Sequence, residues 1–134
     1  MTTEGLTTML SNAGPRETAD RLEAAIKAKG MTVFARIDHA AGAAEAGLAL
    51  APTELLIFGN AKGGTPLMRA VQTIGIDLPL KALVWQDGAG KTRLSYNDPA
   101  WLARRHALGA ATAPVVDAMV AVLAAVAKEA TGVG

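Results

Sequence analysis

The residues Ile57-Phe-Gly-Asn-Ala-Lys-Gly-Gly-Thr-Pro-Leu-Met68 are the most informative about the fold. This stretch starts within a continuous apolar run, residues 55–58, which is typical of a central strand covered on both faces. Thr65 and Pro66 then predict a helix over residues 67–74, because threonine is a good N-cap and proline is favoured at the first helical position. The sequence therefore predicts a strand, a tight corner and a helix.

Two interpretations fit this corner. A glycine-containing turn before a helix points backbone N–H groups at a bound anion, and Asn60 and Lys62 would add side-chain donors. The sequence does not match the known nucleotide-binding motifs. Lys62 precedes Gly63-Gly64-Thr65 instead of following the glycines, and the pattern G-x-G-x-x-G is absent. The structural alternative is that Thr65 caps the helix and the glycines supply backbone angles that side chains disfavour.

Composition restricts the classes of protein. A chain of 134 residues has the size of one domain, so we predict a single domain over residues 1–134 without a linker. Thirteen basic residues against 12 acidic ones leave a net charge of +1, which predicts neither a nucleic-acid partner nor a membrane-surface partner. The absence of cysteine excludes disulfides, thiol catalysis and cysteine metal sites.

The sequence predicts neither a secretory signal nor a membrane span. The N-terminus has no basic region ahead of an apolar run, so it does not resemble a secretory signal, and a cytoplasmic location is expected. Residues 114–127 are strongly apolar, but they contain Asp117 and are shorter than the roughly 20 apolar residues of a membrane span. We interpret them as part of a buried helix.

Glycine and proline residues punctuate the chain into short elements. The predicted strands are Leu6–Leu10, 31–38, 55–58, Leu80–Gln86 and Thr92–Asn97, the last two joined as a hairpin by a glycine-containing loop. The predicted helices are 15–29, 67–74, a segment from Asn97-Asp-Pro-Ala through His106, and 113–130, with a short helix or turn over 40–47. This order predicts an α+β domain, a mixed sheet of about five strands with helices packed mainly on one face.

A second polar stretch is Tyr96-Asn-Asp-Pro-Ala-Trp-Leu-Ala-Arg-Arg-His106. Asp98 is expected to be the N-cap of the helix, and His106 is a weak candidate for an acid or base with Tyr96 and Asp98 as neighbours. His39 and His106 fall on separate elements without ligand spacing, so we predict neither a metal nor a cofactor.

Lys81 is a lone cation in the apolar run Leu78-Pro-Leu-Lys-Ala-Leu-Val84. On the outer face of its strand it would keep its amine in water, which is the slightly favoured alternative. In a cleft, the desolvated amine would be an anion ligand or a base.

Four motifs together identify a family resemblance: Leu56-Ile-Phe-Gly-Asn60, Gly64-Thr-Pro-Leu-Met68, Gly75-Ile-Asp-Leu-Pro-Leu-Lys81 and the stretch that ends at His106. In this order they resemble the bacterial and archaeal family called domain of unknown function 302, over nearly the whole chain. The resemblance implies a small dimeric α+β domain without an established activity. Family members usually have proline after the asparagine of Phe-Gly-Asn, where this chain has Ala61.

These observations lead to three hypotheses for function. The first is a dimeric module that binds a polar or anionic small molecule through Asn60, Gly63, Gly64, Thr65 and Lys81. The second is a structural or interaction protein that acts through its homodimer surface, with the apolar C-terminal helix as the candidate face. The third is an enzyme that uses His106, and it ranks last because no catalytic motif is recognised.

Overall fold

A five-stranded sheet forms the centre of the structure, a computed structural model that describes residues 2–132. The strands are β1 (Leu6–Leu10), β2 (Thr32–Asp38), β3 (Thr53–Gly59), β4 (Leu80–Gln86) and β5 (Thr92–Asn97). The helices are α1 (Pro15–Ala28), α2 (His39–Glu45), α3 (Ala61–Ala70), α4 (Pro99–Arg105) and α5 (Ala113–Thr131). Two short 3-10 helices, Gln72–Ile76 and Ala110–Thr112, follow α3 and precede α5.

The strand order in the sheet is β1-β5-β4-β3-β2. The α+β class and the five strands are confirmed, but the predicted mixed sheet is wrong because every pair of neighbouring strands is antiparallel. The reason lies in α1, which carries the chain from β1 at one edge to β2 at the other. These two strands run in the same direction but lie at opposite edges and do not pair, whereas α2 and α3 connect neighbouring strands that run antiparallel.

The hydrophobic core lies between one face of the sheet and the helices. Alternate strand residues point into it, as expected for a sheet covered on one side. Its largest fully buried side chains include Phe58 and Leu56 of β3, Val84 of β4, Leu94 of β5, Leu22 and Ile26 of α1, and Leu123 and Val126 of α5. The prediction that the helices pack mainly on one face agrees with this arrangement.

The opposite face of the sheet carries no helix; it is mostly apolar on the central strands β3 and β4, whereas β5 places Arg93, Ser95 and Asn97 there, between those strands and β1. Leu55, Ile57, Leu83 and Trp85 of the two central strands are half-buried there. At the two edges, Leu6, Leu10 and Ile37 expose 40%, 44% and 39% of their surface. We call these seven residues the open sheet face. A solvated sheet face normally alternates to polar residues, so this composition requires an explanation.

The length of α5 does not exclude a membrane span, contrary to the expectation from residues 114–127. The segment Ala110–Thr131 is long and apolar enough to cross a membrane, judged by length and composition alone. Its inner face, however, packs in the core through Val116, Leu123 and Val126. The core helix of a folded domain passes the same test, and this packing is the reason we interpret α5 as one.

Candidate functional site

Helix α3 starts earlier than the sequence predicted, and a different residue caps it. Asn60 is the N-cap, since its Oδ1 accepts a hydrogen bond of 2.7 Å from the Gly63 amide. The Gly64 amide donates to the Asn60 carbonyl oxygen at 3.2 Å. The predicted cap at Thr65 and the predicted helix start at Leu67 are therefore wrong, because both glycines already lie in the first helical turn.

Helix propensities of the local residues explain why the start of α3 was predicted too late in the chain. Glycine is a poor helix former, and Pro66, which lies inside α3, lacks the amide that a helix interior requires. Packing and capping outweigh these preferences, because Leu67 is 2% exposed in the core and Asn60 satisfies an otherwise free amide.

The start of α3 forms one wall of a cavity of about 670 Å³, which we call the main cavity. It lies at the end of the sheet where β3 ends and β4 begins, and α5 forms the facing wall. Asn60, Gly63, Gly64 and Thr65, four of the predicted ligand-binding residues, line it together. The remaining lining residues are Lys29, Met31, Phe34, Gly59, Ala61, Lys62, Met68, Leu78, Pro79, Leu80, Pro114, Val115, Ala118, Met119 and Val122.

The wall of the main cavity is mostly apolar, and its only charged side chains are two lysines. Lys29 and Lys62 are exposed, and no aspartate or glutamate lines the cavity. Neither lysine forms an ion pair or a side-chain hydrogen bond with another residue of the described range 2–132. The cavity thus combines an apolar surface with a local excess of positive charge.

Lys81 does not belong to this cavity. It lies on β4 between the core residues Leu80 and Ala82, so its side chain leaves the sheet on the open face. Its Nζ donates to the carbonyl oxygens of Asp77 and Pro79 at 3.2 and 3.0 Å. Burial lowers the pKa of the Lys81 ammonium, and the nearby Asp77 carboxylate partly opposes that shift. The structure therefore does not bring Lys81 and the start of α3 together in the main cavity.

Asp98 caps α4 as predicted, because its Oδ1 accepts a hydrogen bond of 3.0 Å from the Ala100 amide. His106 lies beside Asp77 instead of Tyr96 and Asp98, with its Nε2 2.5 Å from Asp77 Oδ2. Its Nδ1 is 3.1 Å from Thr73 Oγ1. Since a carboxylate only accepts, the Nε2–H group of His106 is the donor to Asp77.

This Asp77–His106 cluster joins the 3-10 helix Gln72–Ile76 to the end of α4. Arg105 completes it, with Nη1 at 2.9 and 2.8 Å from the two carboxylate oxygens of Asp77. The side chains of His106 and Asp77 are only 8% and 14% exposed. The main cavity and a smaller one of about 270 Å³ at the other end of the sheet are lined by other residues. The sequence missed this cluster because a contact between residues so far apart leaves no local pattern.

Tyr96 packs against the core from β5, away from His106's partners. Burial raises the pKa of its phenol, the hydrogen bond with Thr7 opposes that shift, and the Asp98 carboxylate adds to it. His39 begins α2 and is exposed, next to the Asp38 carboxylate that caps this helix. Within residues 2–132, no group of three or more side chains that bind metals comes together.

Fold and cavity together define a small α+β domain with one large, mostly apolar cavity beside a helix N-terminus. The sequence profile of the family "Domain of unknown function DUF302" matches residues 7–126. The chain therefore belongs to this family. An uncharacterized conserved DUF302 protein from Bacillus stearothermophilus has the same fold, with a TM-score of 0.83, 23% sequence identity, and coverage of 96% of this chain and 99% of that one.

Two curated relatives carry a different description. The "Fluoride-specific ion channel FluC 1" of Brucella suis biovar 1 (strain 1330) is 53% identical over 128 residues, which are 96% of this chain and 50% of that protein. The protein of the same name from Brucella abortus biovar 1 (strain 9-941) is also 53% identical, over 96% of this chain and 47% of its own length. The chain spans about half the length of these relatives.

Proposed function

We propose that this protein is a small-molecule binding module and that its ligand occupies the main cavity. The single observation that carries the proposal is the cavity itself, about 670 Å³ in volume and bordered by Asn60, Gly63, Gly64 and Thr65. Ligand sites in proteins are typically concave spaces of about 300–1,000 Å³, mostly apolar, with a few polar groups that orient the ligand.

Charge supports an anionic ligand. Lys29 and Lys62 are the charged residues of the lining, and both lack a protein partner within the described residues 2–132. The start of α3 adds the positive end of its helix dipole on the same side. Lys81, which leaves the sheet on the opposite face, is no longer part of the proposed site.

A pair of tryptophan substitutions on α5 tests this proposal. Ala118 lines the cavity and is exposed, so Ala118→Trp fills the space without disturbing the core, whereas Ala121 is exposed outside the lining and serves as the control. We expect a thermal-shift screen of anions and metabolites to give compounds that stabilise the wild type and Ala121→Trp but not Ala118→Trp. The proposal is rejected if no compound stabilises the wild type, or if the stabilising compounds act equally on Ala118→Trp.

We also propose that the protein is a homodimer that associates through the open sheet face. The specific support is a cluster of half-buried apolar side chains on the uncovered face of β3 and β4, Leu55, Ile57, Leu83 and Trp85, with Ile37 exposed beside them on β2. Apolar side chains clustered on an uncovered face mark protein interfaces. This proposal replaces α5 as the candidate surface, since the inner face of that helix is used by the core.

Sedimentation equilibrium of two glutamate variants tests the dimer. Leu83 lies at the centre of the open sheet face, and Val120 is 36% exposed on the outside of α5. We expect Leu83→Glu to be a folded monomer, verified by circular dichroism, and Val120→Glu to remain a dimer. The opposite result would assign the interface to α5, and a wild type that stays monomeric at all concentrations would exclude both surfaces.

A link to fluoride transport is a further proposal, supported by the names of the Brucella relatives. Because this chain matches about half of each relative, the other half has room for a separate channel part. We propose that the module acts beside such a channel, and that a cytoplasmic location, which stays a prediction, puts it on the inner side. Fluoride is far smaller than a cavity of about 670 Å³, so the name does not identify the ligand of the main cavity.

Reconstitution tests this link. The half of the Brucella suis relative that lies outside the matched region would be produced as a separate membrane protein and mixed with this chain. We expect the two to co-elute in detergent and the chain to change fluoride efflux from liposomes. If they elute separately and efflux is unchanged, the proposed partnership is wrong, while ligand binding by the module is unaffected.

A further inference from the structure

We propose that the ligand of the main cavity is a free aliphatic carboxylate, with its tail on the apolar wall and its carboxylate near Lys29 and Lys62. The inference rests on the proposed function, because it names the chemical class that the module binds. It follows from how the lining residues divide into an apolar and a cationic part.

The apolar part is formed by side chains from several elements. α5 contributes Val115, Met119 and Val122, α3 contributes Met68, and the segment before β4 contributes Leu78. A compact polar ligand such as inorganic phosphate would leave this wall in contact with water. An aliphatic tail would cover it, and every methylene group buried in this way favours binding.

The cationic part lies at one end of the cavity. Gly59 at the end of β3 is paired with Thr32 at the start of β2, which brings the residues just before β2 close to those just after β3. Lys29 and Lys62 therefore approach the same end of the sheet from two different elements. The amides of Ala61 and Lys62, the first two of α3, form no hydrogen bond within residues 2–132 and add free donors there.

The kind of cation favours a carboxylate over a larger anion. Both charged residues are lysines, whose ammonium groups act as compact point charges, and no arginine lines the cavity to bind a phosphate through two parallel hydrogen bonds. Two exposed lysines on an otherwise apolar wall match a single negative charge attached to an apolar body.

The methionines indicate tolerance for different tails. Of the five methionines in the chain, Met31, Met68 and Met119 line the main cavity. Methionine is unbranched and polarizable, so it adapts to ligands of different shape. We therefore expect a range of chain lengths to bind instead of a single one.

Calorimetric titration with a homologous series tests the tail. The probes are acetate, hexanoate, octanoate and decanoate, with inorganic phosphate and 1-decanol as comparisons. We expect affinity to rise roughly fifteenfold for each pair of added methylene groups until the cavity is filled. Equal affinity for acetate, phosphate and decanoate would overturn the inference, and so would equal affinity for 1-decanol and decanoate.

Lysine substitutions test the charged end. Lys29→Met and Lys62→Met are each expected to weaken decanoate binding about fivefold and to leave 1-decanol binding unchanged. Lys91→Met is the matched control, because Lys91 is exposed in the β4–β5 loop at the opposite end of the sheet, and it should change neither. An equal loss in Lys91→Met would show non-specific electrostatics and overturn the assignment.

Two further outcomes separate this inference from the proposals on which it rests. If no carboxylate binds but Ala118→Trp abolishes stabilisation by another compound, the aliphatic class is wrong and the binding module stands. If nothing binds, both are wrong. Binding to phosphatidylglycerol vesicles without binding of free decanoate would assign the anion to a membrane lipid and overturn the proposal of a free ligand.

Discussion

Two stretches of the chain, Ile57 to Met68 and Tyr96 to His106, follow the same local plan and end in different environments. Each leaves a strand, caps a helix with a short polar side chain and continues into that helix. Asn60 caps α3, and Asp98 caps α4. The first stretch borders the main cavity, whereas the polar groups of the second are bonded to other parts of the protein.

A local motif therefore does not determine whether its polar groups are available to a ligand. Their availability depends on which helix or loop packs against the motif. α3 faces α5 across a cavity, while the end of α4 meets the 3-10 helix Gln72–Ile76 and is held there by Asp77. We propose that the first stretch binds a ligand and that the second stabilises the fold.

The largest effect is expected from removing Asp77. Asp77→Ala takes the acceptor from both His106 and Arg105, and it leaves the Nε2 group of a nearly buried imidazole without its acceptor. We expect the free energy of unfolding to fall by about 2 kcal/mol, measured by urea titration, because hydrogen bonds to charged groups contribute at this level. Decanoate binding of the folded variant should be unchanged.

Asp117→Ala is the control for this change. Asp117 is exposed on α5 and forms no ion pair within the described residues. The free energy of unfolding should therefore change by no more than about 0.5 kcal/mol. A folded, fully stable Asp77→Ala that loses binding would reverse the roles assigned to the two stretches.

Replacing the two caps separates capping from binding. Asn60→Ala and Asp98→Ala each remove one side-chain acceptor of a helix amide, and each should cost about 1 kcal/mol in urea unfolding. Only Asn60→Ala should also weaken the binding of ligands to the main cavity, because Asn60 lines this cavity and Asp98 does not. Equal loss of binding in both variants would show that destabilisation alone causes it.

Glycine substitutions give a smaller effect, of opposite sign. In Gly64→Ala the new methyl group would meet Met68 Cε at 3.5 Å, an ordinary contact, so the better helix propensity should stabilise α3 by up to about 1 kcal/mol. The methyl group also enters the cavity wall and should weaken binding. Gly42→Ala in α2, where nothing lies within 4 Å, should stabilise similarly and leave binding unchanged.

The smallest effect concerns Tyr96. Its pKa is raised above the ordinary value of 10.0, mainly by burial, so the folded state keeps a proton that the unfolded chain loses. The stability that the raised pKa contributes is fully present below the ordinary pKa of 10.0 and is lost as the pH rises through the pKa of the folded state. In urea unfolding at alkaline pH, the free energy of unfolding should fall more steeply with rising pH for the wild type than for Tyr96→Phe. Tyr96 is the only tyrosine, so tyrosinate absorbance reports its titration directly.

Local patterns predicted much of the fold. The bounds of β4 and β5 follow from two strand-like runs around a glycine-containing loop, and the structure has the same bounds. The Asp98 cap was equally predictable, since an aspartate before proline satisfies a helix amide by local geometry. The start of α3 was not, because Gly63, Gly64 and Pro66 favour a corner, and the Asn60 cap and tertiary packing together extend the helix back to Ala61.

The candidate site was predictable only in part. The proximity of Asn60 to Thr65 is local, and these residues do line one cavity. The outer face of β4, which the sequence favoured for Lys81, is where the structure has it, because Leu80, Ala82 and Val84 alternate into the core. The contact between Asp77 and His106 depends on the packing of two distant segments and leaves no periodic pattern in the sequence. The residues of α5 that line the cavity have the same pattern as those of any core helix.

The most direct test of the central claim is a nitrogen-15 NMR titration of the whole chain with decanoate. We predict saturable amide shifts at Asn60, Gly63, Gly64 and Met119, around the main cavity, with Thr73, Asp77 and His106 unaffected. Shifts centred on the Asp77–His106 cluster, or no saturable shift at the start of α3, would contradict the account.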